Sequence, residues 1–481
     1  MTDTTQETGS NRLRKNSLST GAVTFLVVSA AAPLTAVAGG VPLSMLLGSG
    51  AGIPGAFLIV TAILLIFAVG YVAMARHVNN AGAFYAFAAR GLGGNVGGAS
   101  ALIAILSYNA MQIGVLGLLG AATSGLFASF GLNLPWWVWS YIAIALVAIF
   151  GYRSVDLSAK VLTVLVILEY VVVLIFDFAV IGKGADAGLS MAPFTMTQVM
   201  SGVPAIGILF CFAAFIGFEA TTIYSEEAKT PETTVPRATY ISVLIIGVFY
   251  MFTSWLMVNA AGVDKLVPEI GALADPTSFL FVLSDRYVGG WLTQIMTILF
   301  VTSLFAGVLA FHNGVARYMY VAGREKLLPA SVGVTHPQFQ SPHIGSVIQT
   351  VLAVVVVGLF AFTGQDPVLA LFSWLTNVGT LGIVVLMAVT SVSVVAFFRK
   401  NPEQEPNVLK ALVLPAVAAV ALVVTIYQIV INFGNLSGTS GFLGILLPGL
   451  VAIAAVIGFF CAMALKARSP ADYAKLGSQQ F

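Results

Sequence analysis

Residues 201–225 read SGVPAIGILFCFAAFIGFEATTIYS. The run is long and apolar enough to cross a bilayer as a helix, for which about 20 residues suffice. It is poorly suited to being one continuous helix. Pro204 stands near its start, Gly217 near its middle and Glu219 two residues further on. Proline removes a backbone donor, glycine weakens a helix, and a carboxylate in hydrocarbon is costly. A second apolar run with related defects lies at 21–47, where Pro33, Gly39, Gly40 and Pro42 interrupt it.

Around these two runs the composition admits only a membrane protein. Hydrophobic residues make up 59% of the 481 and charged residues 8%, against about 25% charged in a soluble domain. A globule of this composition could not be solvated. The net charge of +2 suggests no nucleic-acid partner; the bilayer is the expected one. Apolar runs recur at 21–47, 54–75, 97–126, 136–152, 159–182, 201–225, 238–262, 290–318, 345–362, 368–398, 409–432 and 443–465. Ten-residue segments of alternating polarity are absent, so the spans read as helices and the fold class as all-α, with about 12 transmembrane helices. Arg12, Arg14 and Lys15 before a short apolar stretch, with Ser29-Ala30-Ala31 behind it, resemble a signal peptide. Because the apolar run continues to Leu47, retention is expected instead. Cys211 and Cys461 both sit in apolar runs and read as small buried residues rather than a disulfide.

Basic residues set the orientation. With the N-terminus inside, only Lys183, Lys265 and Arg286 of the 21 basic residues fall outside. Both termini are therefore expected in the cytoplasm, with the chain in an inner or plasma membrane. Trp136, Trp137 and Trp139 fall at the outer end of the fourth span, where an aromatic anchor belongs. The loop 76–96 carries Ala83-Phe84-Tyr85-Ala86-Phe87-Ala88-Ala89-Arg90, which predicts an interfacial amphipathic helix. Val321–Leu328 predicts a similar one.

The two interrupted spans are five apart and cross in opposite directions. Correspondence of this kind points to an inverted-repeat transporter with a site at the midplane, although prolines and glycines also serve as packing features. Only Glu169, Asp177 and Glu219 of the 19 acidic residues fall within spans. Each is a functional candidate, or else a hydrogen bond to a neighbouring helix. Asp177, near the outer end of its helix, is expected to reach water; Glu169 is nearer the centre. Tyr108, Asn109, Gln112, Thr302, Ser303, His312 and Asn313 are weaker signals, with Asn109 and Gln112 on one helical face. No metal-ligand cluster, nucleophile with a base, or phosphate loop stands out, so neither metal, cofactor nor enzymatic activity is expected.

Phe215-Ile216-Gly217-Phe218-Glu219, then Glu226-Glu227-Ala228-Lys229-Thr230-Pro231 and Val235-Pro236-Arg237, resemble the sixth span and following loop of the amino acid–polyamine–organocation superfamily. Ala81-Gly82-Ala83-Phe84-Tyr85 is similar to the family's first cytoplasmic loop. Arg317-Tyr318, Gly323-Arg324-Glu325 and Leu328-Pro329 are similar to the loop after its eighth span. The resemblance covers nearly the whole chain. It implies a five-plus-five inverted repeat, spans 1–5 in 21–182 and 6–10 in 201–398, with two added helices in 409–465 and cytoplasmic tails at 1–20 and 466–481. It further implies that substrate meets unwound backbone around Ala32, Pro33, Leu34, Thr35 and Ala36 and around Phe212, Ala213, Ala214, Phe215, Ile216 and Gly217; Asn109 and Gln112, polar within the third span, are the further substrate-path candidates from the residues themselves. Free N–H groups of the broken first helix would meet a carboxylate, and carbonyls an ammonium.

Two departures stand out. Ala31-Ala32-Pro33-Leu34-Thr35-Ala36 replaces a Gly-Ser-Gly-like break. Glu169 replaces a lysine that some relatives carry in the fifth span. A carboxylate there can still take up and release a proton, so Glu169, with Ser303 as its partner and Glu219 as the next candidate, is the expected coupling group. The expected function is proton-coupled import of a small or neutral amino acid by alternating access. Import of an amine or polyamine, which needs no carboxylate cradle, is the rival. A transporter-like sensor would normally carry a soluble signalling domain, and no such segment is legible. Thr302 and Ser303 leave sodium coupling open.

Overall fold

The computed structural model describes residues 19–78, 82–153, 159–185, 188–223, 228–437 and 441–477. Ala81, Glu226 and Glu227 of the motifs above, the side chain of Lys160, Arg12, Arg14 and Lys15 with most of the N-terminal tail, and the last residues of the C-terminal tail lie outside them. Among the described residues the fold is all-helical.

The helices are α1 (Thr20–Ala30), α2 (Thr35–Leu47), α3 (Ile53–Ala75), α4 (Phe84–Leu92), α5 (Gly94–Ala128), α6 (Trp136–Tyr152), α7 (Ala159–Lys183), α8 (Pro204–Ala213), α9 (Pro231–Ala261), α10 (Phe279–Tyr287), α11 (Gly290–Arg324), α12 (His343–Phe362), α13 (Pro367–Lys400), α14 (Leu409–Leu436) and α15 (Phe442–Arg468). Each predicted apolar run overlaps at least one of them, and 21–47 overlaps two, α1 and α2. Among the described residues nine helices are long and apolar enough to cross a bilayer, and α1, α2, α6 and α8 are shorter apolar pieces. Two of the span starts are chemically marked. Ser19 accepts the Ala22 N–H at 3.3 Å ahead of α1, and Asp366 accepts those of Val368 and Leu369 at 2.8 and 2.7 Å ahead of α13.

The long α5 is the hub. It packs against α4, α6, α11, α13 and α15 and is buried along most of its length. Close approach depends on small residues: a Cβ on Gly98 would sit 2.6 Å from the Gly458 carbonyl, so the backbones of α5 and α15 touch there.

Three expectations change. Helix α4 exists but does not lie on lipid. Phe84, Tyr85, Phe87 and the alanines between them are buried between α5 and α13, and Arg90 is its one fully exposed basic end. Its aromatics find partners inside, with Phe84 and Phe87 against the Tyr71 ring. Val321–Arg324 is no separate interfacial helix but the last turn of α11. At 35 residues α11 is longer than a bilayer core requires. Asp177, expected to reach water, is fully buried.

Candidate substrate cavity and coupling site

Helix α1 stops where Pro33 forces it to. Proline lacks an N–H, clashes with the carbonyl four residues back and pushes its predecessor out of the helical region. Ala32 accordingly sits at φ +44°, a conformation that costs an alanine on the order of 1–3 kcal/mol. The backbone groups freed by the break are met by side chains from other helices. Tyr250 of α9 donates its hydroxyl to the Ala31 carbonyl at 3.1 Å. The Leu34 N–H donates to Glu169 Oε2 at 3.1 Å.

The second break follows α8. Residues 214–219 form successive turns before a short helix at Ala220–Ile223. Gly217 stands at φ +114°, which side chains rarely adopt. Its N–H donates to Glu219 Oε2 at 2.9 Å. Tyr108 of α5 donates to the other oxygen of that carboxylate. Tyr71 of α3 lies 3.0 Å from the Glu219 carbonyl and 2.6 Å from the Thr222 hydroxyl. Glu219 thus ties the unwound segment to α5, beneath the break.

Between the breaks lies a cavity of about 60 Å³, more than the 10–15 Å³ one water requires. Ala31, Ala32, Thr35, Ala36, Gly40, Val41 and Ser44 line it from the first run, and Phe210, Ala213, Ala214 and Ile216 from the sixth. Phe57, Met111, Val115, Gly307, Phe311, Phe372 and Thr376 close it. No charged side chain is among these residues.

The sequence-predicted residues separate cleanly. Ala32, Thr35, Ala36, Ala213, Ala214 and Ile216 line the cavity. Pro33, Leu34, Phe212, Phe215 and Gly217 shape the breaks without lining it; the Phe215 ring packs against Phe57 and Tyr250. Asn109 donates to the Ile105 carbonyl of its own helix at 2.7 Å, and Gln112 accepts from Gln349 of α12 at 2.6 Å. The face of α5 that meets the cavity is the apolar one carrying Met111 and Val115. Those two stand four apart, a helical spacing legible in the sequence.

Glu169 lies behind the first break rather than in the cavity. Its Oε2 accepts from Leu34 N–H and, at 2.9 Å, from the Ser303 hydroxyl of α11. The Ser303 oxygen is 3.1 Å from that of Thr35, and Thr35 lines the cavity. A chain of hydrogen bonds therefore runs from the carboxylate through Ser303 and Thr35 to the cavity wall. Thr302 bonds within its own helix and stands apart from this chain. His312 pairs with Ser346 at 2.8 Å, joining α11 to α12. Among the described residues neither Glu169 nor Glu219 forms an ion pair, and no cluster of three metal-ligating side chains occurs.

The sequence profile of a family described as amino acid permeases matches residues 18–459. The chain belongs to the amino acid permease family. This membership accords with the superfamily resemblance of the motifs at 215–237 and 317–329. Among relatives, the permease is 27% identical over 339 residues to the low-affinity putrescine importer PlaP of Escherichia coli (strain K12), covering 68% of this chain and 70% of that one. It is 26% identical to the branched-chain amino acid permease BcaP of Bacillus subtilis (strain 168), over 65% and 61% of the two chains. Its backbone matches a variant of the Eremococcus coleocola manganese transporter with a TM-score of 0.59 at 15% identity, over 95% and 96% of the chains. That last likeness concerns the fold alone. The permease is a multi-pass membrane transporter.

Proposed function

We propose that this permease imports a small neutral amino acid across the cell membrane by alternating access, driven by protons that bind Glu169. The observation that carries the reading is the hydrogen-bond chain Glu169–Ser303–Thr35, which joins a mid-membrane carboxylate to the cavity wall. Glu169 also holds the Leu34 N–H at the start of α2. Loading a proton on the carboxylate removes its charge from that helix end and changes what Ser303 and Thr35 donate to. Proton occupancy and the shape of the first break are thereby linked. Residues 21–182 and 201–398 form the two inverted repeats of this reading, the broken runs 21–47 and 201–225 being their counterparts.

The lining favours an amino acid over a diamine. A zwitterion carries no net charge, and backbone carbonyls and N–H groups at two broken helices can meet both of its ends. A diamine would bring two ammonium groups into a cavity without a carboxylate, at a heavy desolvation cost. The purified protein should therefore be stabilised by L-alanine or L-valine and not by putrescine. At a hundredfold excess over Kd the native state gains about 2.7 kcal/mol, a readily measured rise in Tm. Stabilisation by putrescine alone would transfer the reading to the amine class.

The topology is open to labelling. In a variant lacking Cys211 and Cys461, single cysteines at 183–200 and 263–289 should react with a membrane-impermeant maleimide from outside. Cysteines at 76–96 and 319–344 should react only after permeabilisation. Strong external labelling of 319–344 would overturn the orientation.

A further inference from the structure

Proton coupling through Glu169 makes no use of Asp177, a second buried carboxylate on the same helix. Asp177 of α7 is fully buried, with Oδ2 accepting from the Thr253 hydroxyl of α9 at 2.7 Å and Oδ1 accepting no hydrogen bond from the described residues. It stands eight residues beyond Glu169 on the same helix, about 12 Å nearer the outer end at 1.5 Å per residue. Tyr170 lies seven residues before Asp177, which puts the two on one helical face. The Tyr170 hydroxyl is also buried without a hydrogen-bonding partner. Asp177 bonds to Thr253 and the Tyr170 ring packs on Phe249, so both lie along the seam between α7 and α9, and Glu169, the residue before Tyr170, turns from that seam toward Ser303 of α11.

Among the described residues no lysine or arginine forms an ion pair with this carboxylate. The elements packed on this part of α7 are α1, α9, α10 and α11. Their titratable groups here are few. Tyr250 bonds to Ala31, Tyr287 bonds to the Ala260 carbonyl, and Asp285 and Arg286 are exposed at the end of α10, Arg286 pairing with Glu269. A single hydrogen bond between helices could be made by a serine or asparagine. A carboxylate at this depth with one oxygen left over is the arrangement of a proton-carrying site.

We propose that Asp177 is the outer proton station of the permease, taking a proton from the external side and passing it inward to Glu169. The proposal rests on proton coupling through Glu169. In the step, the O–H bond on Asp177 breaks and an O–H bond on Glu169 forms, leaving Asp177 a carboxylate ready to reload. Twelve ångströms is too far for direct transfer. Water and the Tyr170 hydroxyl carry the proton between, the hydroxyl giving one proton toward Glu169 and receiving another from the Asp177 side. Asp177 sets how fast Glu169 loads and leaves the stoichiometry unchanged.

The test uses the intact protein in liposomes, an equimolar mixture of labelled L-alanine and L-valine, a lumenal pH dye and an external medium one pH unit more acidic. Asp177→Asn should slow initial uptake and the coupled lumenal acidification at least tenfold. It should leave the final accumulation ratio, and counterflow at equal pH, within about twofold of the parent. Asp177→Glu should restore at least half of the rate, and Tyr170→Phe should be slowed in the same way as Asp177→Asn. Parental rates in Asp177→Asn would overturn the proposal. So would a collapse of the final ratio, which would make Asp177 the coupling site itself. Loss of counterflow in step with driven uptake would show a merely structural tie to Thr253. A parent that the pH gradient does not drive, or that carries neither amino acid, would overturn the Glu169 reading and this one with it.

Discussion

A Glu169→Gln variant should lose uphill accumulation altogether while still binding substrate and exchanging it at a rate within about twofold of the parent. One proton per substrate moving down a gradient of one pH unit supports about tenfold accumulation, equivalent to roughly 1.4 kcal/mol. The variant's plateau should therefore fall to the equilibrium value of one. Glutamine keeps the length of the side chain and an acceptor oxygen for the Leu34 N–H and the Ser303 hydroxyl, which lie 3.1 and 2.9 Å from the carboxylate. It removes only the exchangeable proton. The first break should thus stay formed, and the thermal shift with L-alanine or L-valine should persist. Uptake into proteoliposomes with an imposed pH gradient, with and without sodium, reads the result. Parental accumulation by the variant would make Glu169 structural and pass the role to Glu219. Uptake by the parent driven by sodium alone would sink proton coupling as a whole.

Substituting Gly217 should be as damaging for a different reason. At φ +114° a β-branched residue is strained, at a cost on the order of 1–3 kcal/mol. The segment would relieve that strain by changing its turn, and the Gly217 N–H would then leave Glu219. Gly217→Val should cut transport at least a hundredfold while the protein remains monodisperse and folded, because α8 and α9 keep their packing against α3. Gly217→Ala should fall between the parent and the valine variant. The informative pair of measurements is uptake and thermal stability on the same preparations. Near-parental uptake by the valine variant would reduce the break to a packing detail, and a protein that no longer folds would leave Gly217→Ala to decide between the two.

The helical architecture was legible because hydrocarbon enforces it. Each apolar run long enough to span contains a helix, and the interruptions at Pro33 and Gly217 fall where the residue chemistry said they would. The cavity between the breaks was legible in its backbone and less so in its side chains. Asn109 and Gln112 are polar groups in a hydrophobic helix. They bond to Ile105 and Gln349, because polar side chains buried among helices must find partners. From α5 and α11 the cavity wall takes residues with no side-chain polar group to satisfy, Met111, Val115, Gly307 and Phe311. Asp177 was misjudged from its distance to the helix end. Its burial depends on which face α7 turns toward α9, and a fifth span that is apolar on every side does not announce that face. Helix α4 was misplaced for the same reason: its aromatic residues fit lipid headgroups and a protein interior equally well.

The wider winding of α2 over Thr35–Gly40 has a consequence of its own. That stretch is a π-helix, in which each backbone bond reaches one residue further than in an α-helix. It amounts to a single residue of slack inserted just beyond the first break. Removing it would leave both flanking segments helical but would rotate Val41–Leu47 by about 100° relative to α1, the angle of one α-helical residue. Val41 and Ser44 would turn off the cavity and other side chains would take their place. Chain length, and not only residue identity, is thus a means of relining the cavity. A one-residue gap in this stretch between two permeases of the family would signal a different set of cavity-facing side chains, even where the letters on either side agree.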